Sequence, residues 1–417
     1  MRVLCTCLPG SGHFLPMLPL ARALAAAGHE VAFATAAEFC PSVVKRGFVV
    51  FPAGISLPQQ LEEAAARYRE GDQPPSKERF ETFVPRMLGG VAAPARAADL
   101  VPIVASWQPD VVVHDETEFA GPAVAARFGI PWADQSVGIL RPLVMARRAA
   151  AEAASLWRAG TGREVPVFGG LYEYLYLDVC PPSLQTAEIG QVAVTHRVHN
   201  LSIAGPDDGP LPGWVASLGG RPTVYVSLGT VFSRDNPVFG AILAGLRDEA
   251  VNVIVTVGPD NDPAELGEQR EGVYVERFIP QALLLPYCSA VINQGGTAIL
   301  DILGHGLPLL VLPQGANQFH NAEACVRAGV GRTLLPGSVT PSSLRSEVRA
   351  LLDVASYRDR AAVIAAELAA TPGPAEGVRL LERLAEERAP IPQGRSAEMG
   401  GRPGRAGPGG GGRVGHR

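Results

Sequence analysis

Two groups of residues in this chain have the types and spacing to do chemistry. The first is the turn Pro9-Gly10-Ser11-Gly12-His13. Glycines at 10 and 12 let the backbone approach a ligand closely. A helix start behind them favours negative charge. An imidazole there titrates near neutral pH and can take a proton from a hydroxyl. It can equally be a helix-start histidine bonded to a neighbouring carbonyl, and the local sequence leaves both readings open. The turn is a poor dinucleotide-binding fingerprint. Leu15 stands where the third glycine belongs, and Glu30 lies at the start, not the end, of the next strand-like run.

The second group lies in the other half of the chain. It comprises Ser227-Leu228-Gly229-Thr230, Phe278-Ile279-Pro280-Gln281, Gln294-Gly295-Gly296-Thr297, and the run from Pro313 to Ala322 that contains Asn317-Gln318. An aromatic side chain suits a nucleobase. Glycines and hydroxyls suit phosphate, and side-chain amides suit sugar hydroxyls. None of these segments is specific alone; their order and spacing together describe a nucleotide-sugar site.

These residues need elements to position them. Strand-like runs occur at Arg2–Cys7, Glu30–Thr35, Val49–Pro52, Val111–His114 and Trp132–Gln135. They recur at Thr223–Leu228, Val251–Val257, Val273–Val275, Ala290–Ile292 and Pro308–Leu312. Helix-like stretches separate them, the first over Leu15–Ala27 and closed by Gly28. Such alternation predicts an α/β protein with parallel sheets covered on both faces. The pattern lapses at Gly205–Pro222, a Gly-, Pro- and Asp-rich stretch with linker composition. The expected division is 1–204, a linker at 205–222, a second α/β unit at 223–389, and a disordered Gly/Pro/Arg tail at 390–417. Both groups of chemical residues then sit in loops after strands, where ligands bind in open parallel sheets. They face each other across a cleft.

Composition narrows the class. The chain has 417 residues, 47% hydrophobic and 18% charged, enough for two packed cores. A net charge of -5 without like-charge blocks does not suggest a nucleic acid partner. Six cysteines are scattered and do not form a disulfide framework. Cys5 and Cys7 alternate in an apolar run and read as one face of a buried strand. No basic segment followed by a long apolar one opens the chain, and no uninterrupted apolar stretch reaches spanning length. A cytoplasmic protein without a membrane span is expected. The oligomeric state is open, a homodimer included. Asp260-Asn261-Asp262 has the Asp-x-Asp form of a metal site but lies among turn formers, and no metal ligand is expected there.

The chain resembles the bacterial natural-product branch of the inverting GT-B glycosyltransferases, relatives of the UDP-glucosyl- and glucuronosyltransferases. These have two Rossmann-like domains. They place nucleotide-activated sugars on macrolides, enediynes and aromatic polyketides in antibiotic biosynthesis. The resemblance runs from the opening GSGHFLP to about Ala389. It is most specific at that turn, at VSLGT, at PQALLLP and at LVLPQGANQFHNAE.

It implies an acceptor-binding first domain and a donor-binding second domain. His13 would be the general base for an apolar acceptor's hydroxyl, steadied by Asp115, with Glu116 and Glu118 as nearby rivals. Gly12, Ser227, Gly229 and Thr230 would line the phosphate side of a dTDP- or UDP-sugar. Phe278 would stack on the base, with Ile279 and Gln281 beside it, and Gly295, Gly296 and Thr297 would hold the diphosphate. Asn317 and Gln318 would hold sugar hydroxyls, Asn317 standing where the family has aspartate. No metal or other cofactor is implied, the nucleotide sugar being a co-substrate.

One departure is marked. The family's phosphate-binding histidine is absent, and either Asn293 or Gln294 occupies its place. That absence also admits a silent nucleotide-sugar-binding auxiliary of a partner transferase, which would give no product alone. An epimerase or hydrolase of nucleotide sugars would consume donor without acceptor and should carry further carboxylates around the sugar.

Overall fold

A computed structural model describes residues 1–69, 76–201, 209–229, 237–258 and 261–393. The expected tail from 394 onward, the first four residues of the linker (205–208) and Thr230 lie outside the described residues. So does Asp260.

The first half forms one parallel sheet from β1 (Arg2–Thr6), β2 (Glu30–Thr35), β3 (Val49–Pro52), β4 (Val111–Asp115), β5 (Trp132–Gln135), β6 (Tyr176–Asp178) and β7 (Thr195–Arg197). Their order is β3-β2-β1-β4-β5-β6-β7. The second half forms another from β8 (Thr223–Ser227), β9 (Asn252–Thr256), β10 (Val273–Glu276), β11 (Ala290–Asn293), β12 (Leu309–Val311) and β13 (Gly331–Thr333). Their order is β10-β9-β8-β11-β12-β13. In each sheet the chain reverses its direction of travel once, between β1 and β4 and between β8 and β11. A crevice opens at such a switch point, outside the carboxyl ends of the two strands.

The central strands show why the sheets are parallel and covered. Every residue of β4, from Val111 to Asp115, is buried, as is every residue of β9. A strand apolar on both faces cannot lie against water on either. Three strands were not legible in the sequence: β6, β7 and β13. Each has only three residues, too few to show a period. The helix expected over Leu15–Ala27 instead begins at Ser11. It runs as Ser11–Phe14, a tight turn Leu15–Met17, and Leu18–Ala26. Pro16 and Pro19 remove backbone donors and break one helix into pieces.

One apolar core joins the two halves. The last helix, Pro374–Glu387, returns to the first sheet and packs on Leu18–Ala26. A Cβ on its Gly377 would meet Leu20 at 2.8 Å. The chain beyond it also docks: Ile391 is buried and its N–H donates to the Tyr174 carbonyl at 2.8 Å. Disorder was expected from residue 390, but residues 390–393 are held against the first sheet, because Ile391 supplies one apolar anchor. The remaining boundaries, 1–204, 205–222 and 223–389, stand as a proposal.

Lys77–Arg86, a π-helical turn Met87–Ala92 and Ala93–Trp107 make a continuous helix, long and apolar enough by length and composition to cross a membrane. Phe83, Met87, Leu88, Val91, Leu100 and Val104 on it are buried in the first half's core. Across the cleft its start meets helix Gln318–Arg327. Lys77 Nζ lies 2.7 Å from a Glu323 carboxylate oxygen, and His320 Nε2 lies 2.8 Å from Glu81 Oε1.

Candidate active site

The turn after β1 is fixed from behind. Phe14 is buried edge-on against Phe33 and Phe39, with ring centroids 5.1 and 5.7 Å away. That anchor commits one side of the short helix Ser11–Phe14 to the core. His13, next to it, lines a cavity on the other side and is 24% exposed. The loop after β4 approaches from the adjacent strand. His13 Nδ1 lies 3.3 Å from Asp115 Oδ1, and the Asp115 side chain is 0% exposed. The Leu8 N–H donates to Asp115 Oδ2, and the Thr117 N–H donates to Oδ1, both at 2.8 Å. The Thr117 hydroxyl donates to the same Oδ1 and sits 3.3 Å from His13 Nδ1.

Burial alone would raise the Asp115 carboxyl. The charge and hydrogen bond of His13, the Thr117 bond and the Leu8 N–H outweigh it, and the group is held well below the usual carboxylate range. An ionised Asp115 fixes His13 with its Nδ1–H toward the carboxylate and leaves Nε2 free to accept a proton from a ligand.

The rival acids have other partners. Glu118 accepts from the Thr6 hydroxyl at 2.6 Å and from the Ala120 and Gly121 N–H groups at 2.7 Å, so it caps helix Ala120–Phe128. Glu116 Oε1 accepts from Arg141 Nε at 2.8 Å. Asp134 on β5 is fully buried, and neither carboxylate oxygen has a partner among the described residues. Burial, with Glu116 and Asp115 nearby, raises it well above the ordinary carboxylate value.

On the second sheet, the loops after β8, β10, β11 and β12 share one rim. Gly12, Ser227, Gly229, Phe278, Ile279, Gln281, Asn293, Gln294 and Thr297 line a cleft of about 360 Å³. Phe278 is 64% exposed, while Ile279 beside it is buried and pins the loop. Gly296, Asn317 and Gln318 line the neighbouring cavity instead. Gln318 turns its side chain to its own loop, accepting from the Gln314 and Gly315 N–H groups at 2.8 and 3.1 Å. Ala316, just before Asn317, has a left-handed φ of 52°, a strained conformation for a residue with a Cβ. Gly295 lines neither space. It has a φ of 87°, and a Cβ there would meet Val311 at 2.7 Å, so glycine is needed for backbone fit.

The structure separates Asn293 from Gln294. Asn293 is buried at the end of β11; it donates to the Ser227 carbonyl at 3.3 Å and accepts from the Gly295 N–H at 2.6 Å. It is a structural amide. Gln294 lines both spaces, packed against Gly229 and Gly296. Its Oε1 has no partner among the described residues.

The second cavity, about 560 Å³, lies on the first half's side of the cleft. Leu57, Leu61, Phe80, Phe83, Met87 and Leu88 supply its apolar walls. His13, Thr117 and Arg141 form its polar end, and Gln294, Thr297 and Asn317 close it from the other half. Gly12 borders both spaces, and a Cβ on it would approach Thr297 Oγ1 to 3.8 Å. Sequence reasoning missed Thr117 and Arg141. Neither has a local signal, since a threonine or arginine in a loop is ordinary; only the neighbouring strand ends bring them to His13.

Of the other residues singled out, Cys5 and Cys7 are buried free thiols, and burial pushes Cys5 up to about 12. Asn261 donates to the Val257 carbonyl at 2.6 Å, and Asp262 accepts from the Ala264 N–H at 3.1 Å, the bonds of a turn and a helix cap.

Comparison with known proteins shows the family and the fold. The N-terminal domain of erythromycin biosynthesis protein CIII-like proteins matches residues 22–229, and the C-terminal domain matches 241–384. The chain is 33% identical over 350 residues to L-demethylnoviosyl transferase of Streptomyces niveus, covering 80% of this chain and 85% of that one. It is 29% identical to tylactone mycaminosyltransferase of Streptomyces fradiae, with 92% of each covered. Among solved structures, the glycosyltransferase SsfS6 of Streptomyces sp. SF2575, complexed with thymidine diphosphate, superposes with a TM-score of 0.75 at 27% identity, covering 92% of this chain and 99% of that one. With two facing Rossmann-like sheets and these relatives, the chain belongs to the erythromycin biosynthesis protein CIII-like family and is a bacterial natural-product glycosyltransferase of the GT-B fold.

Proposed function

We propose that this glycosyltransferase moves a sugar from a thymidine or uridine diphosphate donor to a hydroxyl of an apolar acceptor, with inversion and without a metal. The observation that carries this reading is the His13–Asp115 pair at one end of an apolar cavity that opens beside the donor cleft. The acceptor lies against Phe80, Phe83, Met87 and Leu88. His13 Nε2 takes the hydroxyl proton as the acceptor oxygen bonds to the anomeric carbon, and the bond from that carbon to the diphosphate oxygen breaks. Holding both reactants in line contributes much of the rate.

The donor reading rests on Phe278 and Ile279 at one end of the cleft and Ser227, Gly229 and Gln294 toward the other. Calorimetry should show thymidine or uridine diphosphate binding to the purified protein. Turnover of the matching sugar nucleotide should then require an acceptor and persist in EDTA. Binding of neither nucleotide, or donor consumption without acceptor, would sink the assignment.

Gln294 is the residue positioned to donate to the departing diphosphate. It carries no positive charge, so its bond to the anionic diphosphate lacks the Coulombic attraction that a protonated histidine would add. Gln294→His is expected to raise kcat by several-fold, with little change in acceptor KM. Gly229→Ala should do the reverse, because its Cβ would fall 2.2 Å from Gln294 Nε2 at a φ of 74°. Steady-state kinetics of the two variants check this; a silent Gly229→Ala would show that Gln294 is not aimed at the donor.

A further inference from the structure

Arg141 has no place in the sugar transfer as drawn, yet it stands at the polar end of the apolar cavity. It follows β5 in the loop that enters helix Leu143–Glu152, and its side chain is 16% exposed. Its Nε bonds the 2%-exposed Glu116 at 2.8 Å. That single bond holds the guanidinium in place but uses one of its N–H donors; Nη1 and Nη2 have no recorded partner among the described residues. A guanidinium so placed presents a fork that matches a carboxylate or other acidic oxygen, and it stays charged at every working pH.

Two buried acids, Glu116 and Asp134, lie near it. Glu116 is buried, its Oε2 has no partner among the described residues, and burial raises its carboxyl even with Arg141 opposing. Asp134 is buried, and neither of its carboxylate oxygens has a partner among the described residues. The guanidinium thus keeps N–H donors to spare beside an apolar cavity, where an acidic oxygen of a ligand can accept them.

We propose that Arg141 is a specificity residue of this cavity: it receives an acidic oxygen, a carboxylate or phenolate, of an otherwise apolar acceptor whose separate hydroxyl is presented to His13. The proposal rests on reading the cavity as the acceptor site. We assign the acid to the acceptor because Arg141 lines the apolar cavity with His13 and Thr117 and does not border the cleft that holds Phe278 and Ile279; Asn317 and Gln318 line the same cavity, so an acid on the donor sugar is the alternative that the test separates.

The test uses 6-hydroxy-2-naphthoic acid and its methyl ester, titrated by naphthol fluorescence into the full-length protein with thymidine diphosphate present. Wild type should bind the acid at least about tenfold more tightly than the ester, the effect of one charge-assisted bond. In Arg141→Gln the preference should fall to about twofold or less, with ester affinity unchanged. Glu116→Gln keeps the guanidinium and removes its competitor, so it should retain or widen the preference, which covers the case of an unstable Arg141→Gln. Equal affinity for acid and ester in wild type, failure of both to bind, or an undiminished preference in Arg141→Gln would overturn the proposal. So would a selective loss of UDP-glucuronate over UDP-glucose binding in Arg141→Gln, which would place the acid on the donor. Because the readout is binding, it is separate from turnover. A protein that transfers sugar but shows no acid preference refutes this inference alone, while one that prefers the acid but never transfers refutes the proposed function.

Discussion

Replacing His13 by alanine is expected to lower kcat by about 10²–10⁴-fold, the usual range for removing a positioned general base. Affinity for thymidine or uridine diphosphate should change by no more than about threefold, because His13 lines the apolar cavity and not the nucleotide cleft. Single-turnover rates with saturating donor and acceptor, beside calorimetry with the nucleotide alone, measure the two quantities on one preparation. The fold should survive, since Phe14 carries the anchoring of the turn through Phe33 and Phe39. Turnover by His13→Ala within a few-fold of wild type would remove His13 from the mechanism. Loss of nucleotide binding together with turnover would mean that the residue supports the cleft.

Asp115→Asn is expected to affect both rate and stability. The carboxylate accepts from Leu8, Thr117 and His13. An amide there must turn an NH₂ toward one of these donors and can hold His13 in the wrong tautomer. A kcat loss of about 10²–10⁴-fold is expected, of the same order as for His13 itself. A stability loss of about 1–3 kcal/mol follows from the buried donors left unpaired.

The sign of the pH effect can be worked out. Asp115 is held below its ordinary value in the folded state. Its contribution is therefore fully present above the unfolded value of about 3.9 and is lost as pH falls below it toward the folded value. Asp178 works the other way: burial raises it to about 6, so it binds its proton more tightly when folded, and its contribution fades as pH rises from about 4 to 6. Denaturant unfolding of wild type and Asp115→Asn between pH 3 and pH 7 separates them. The difference between the two proteins should shrink on acidification below about pH 4 and stay level above pH 5. A difference independent of pH would mean that Asp115 does not carry its charge in the folded protein.

The alternation of strand and helix, and with it the pair of parallel sheets, was legible from the first residues. β2, β3 and β5 have the limits read from the sequence, because each is a short run carrying β-branched or aromatic residues, set between helix-like stretches. The glycine turn with His13, and the loops at Ser227, Phe278, Gln294 and Asn317, were legible for the same reason: each follows a readable strand. The three-residue strands β6, β7 and β13, the broken helix after Ser11 and the return of Pro374–Glu387 to the first sheet were not; β12, equally short, was legible within the apolar run Pro308–Leu312. A short element carries no period, and a helix face does not say which half of the molecule it will cover.

The choice among Asp115, Glu116 and Glu118 needed the third dimension. All three lie within four residues at or just past the end of β4, and sequence cannot say which way a side chain turns where a strand ends. Packing β4 beside β1 places Asp115 under Leu8 and His13, sends Glu118 to the start of helix Ala120–Phe128, and sends Glu116 to Arg141. Asn293 and Gln294 separated in the same way. One residue of register decides which amide is tied to backbone at the strand end and which stands between the two spaces. The sequence alone determined the architecture and the chemical types available, because these follow from local hydrophobic pattern and turn composition. Only the tertiary structure decided which groups meet, because His13, Asp115, Thr117 and Arg141 come from the ends of three adjacent strands that the chain reaches far apart in order.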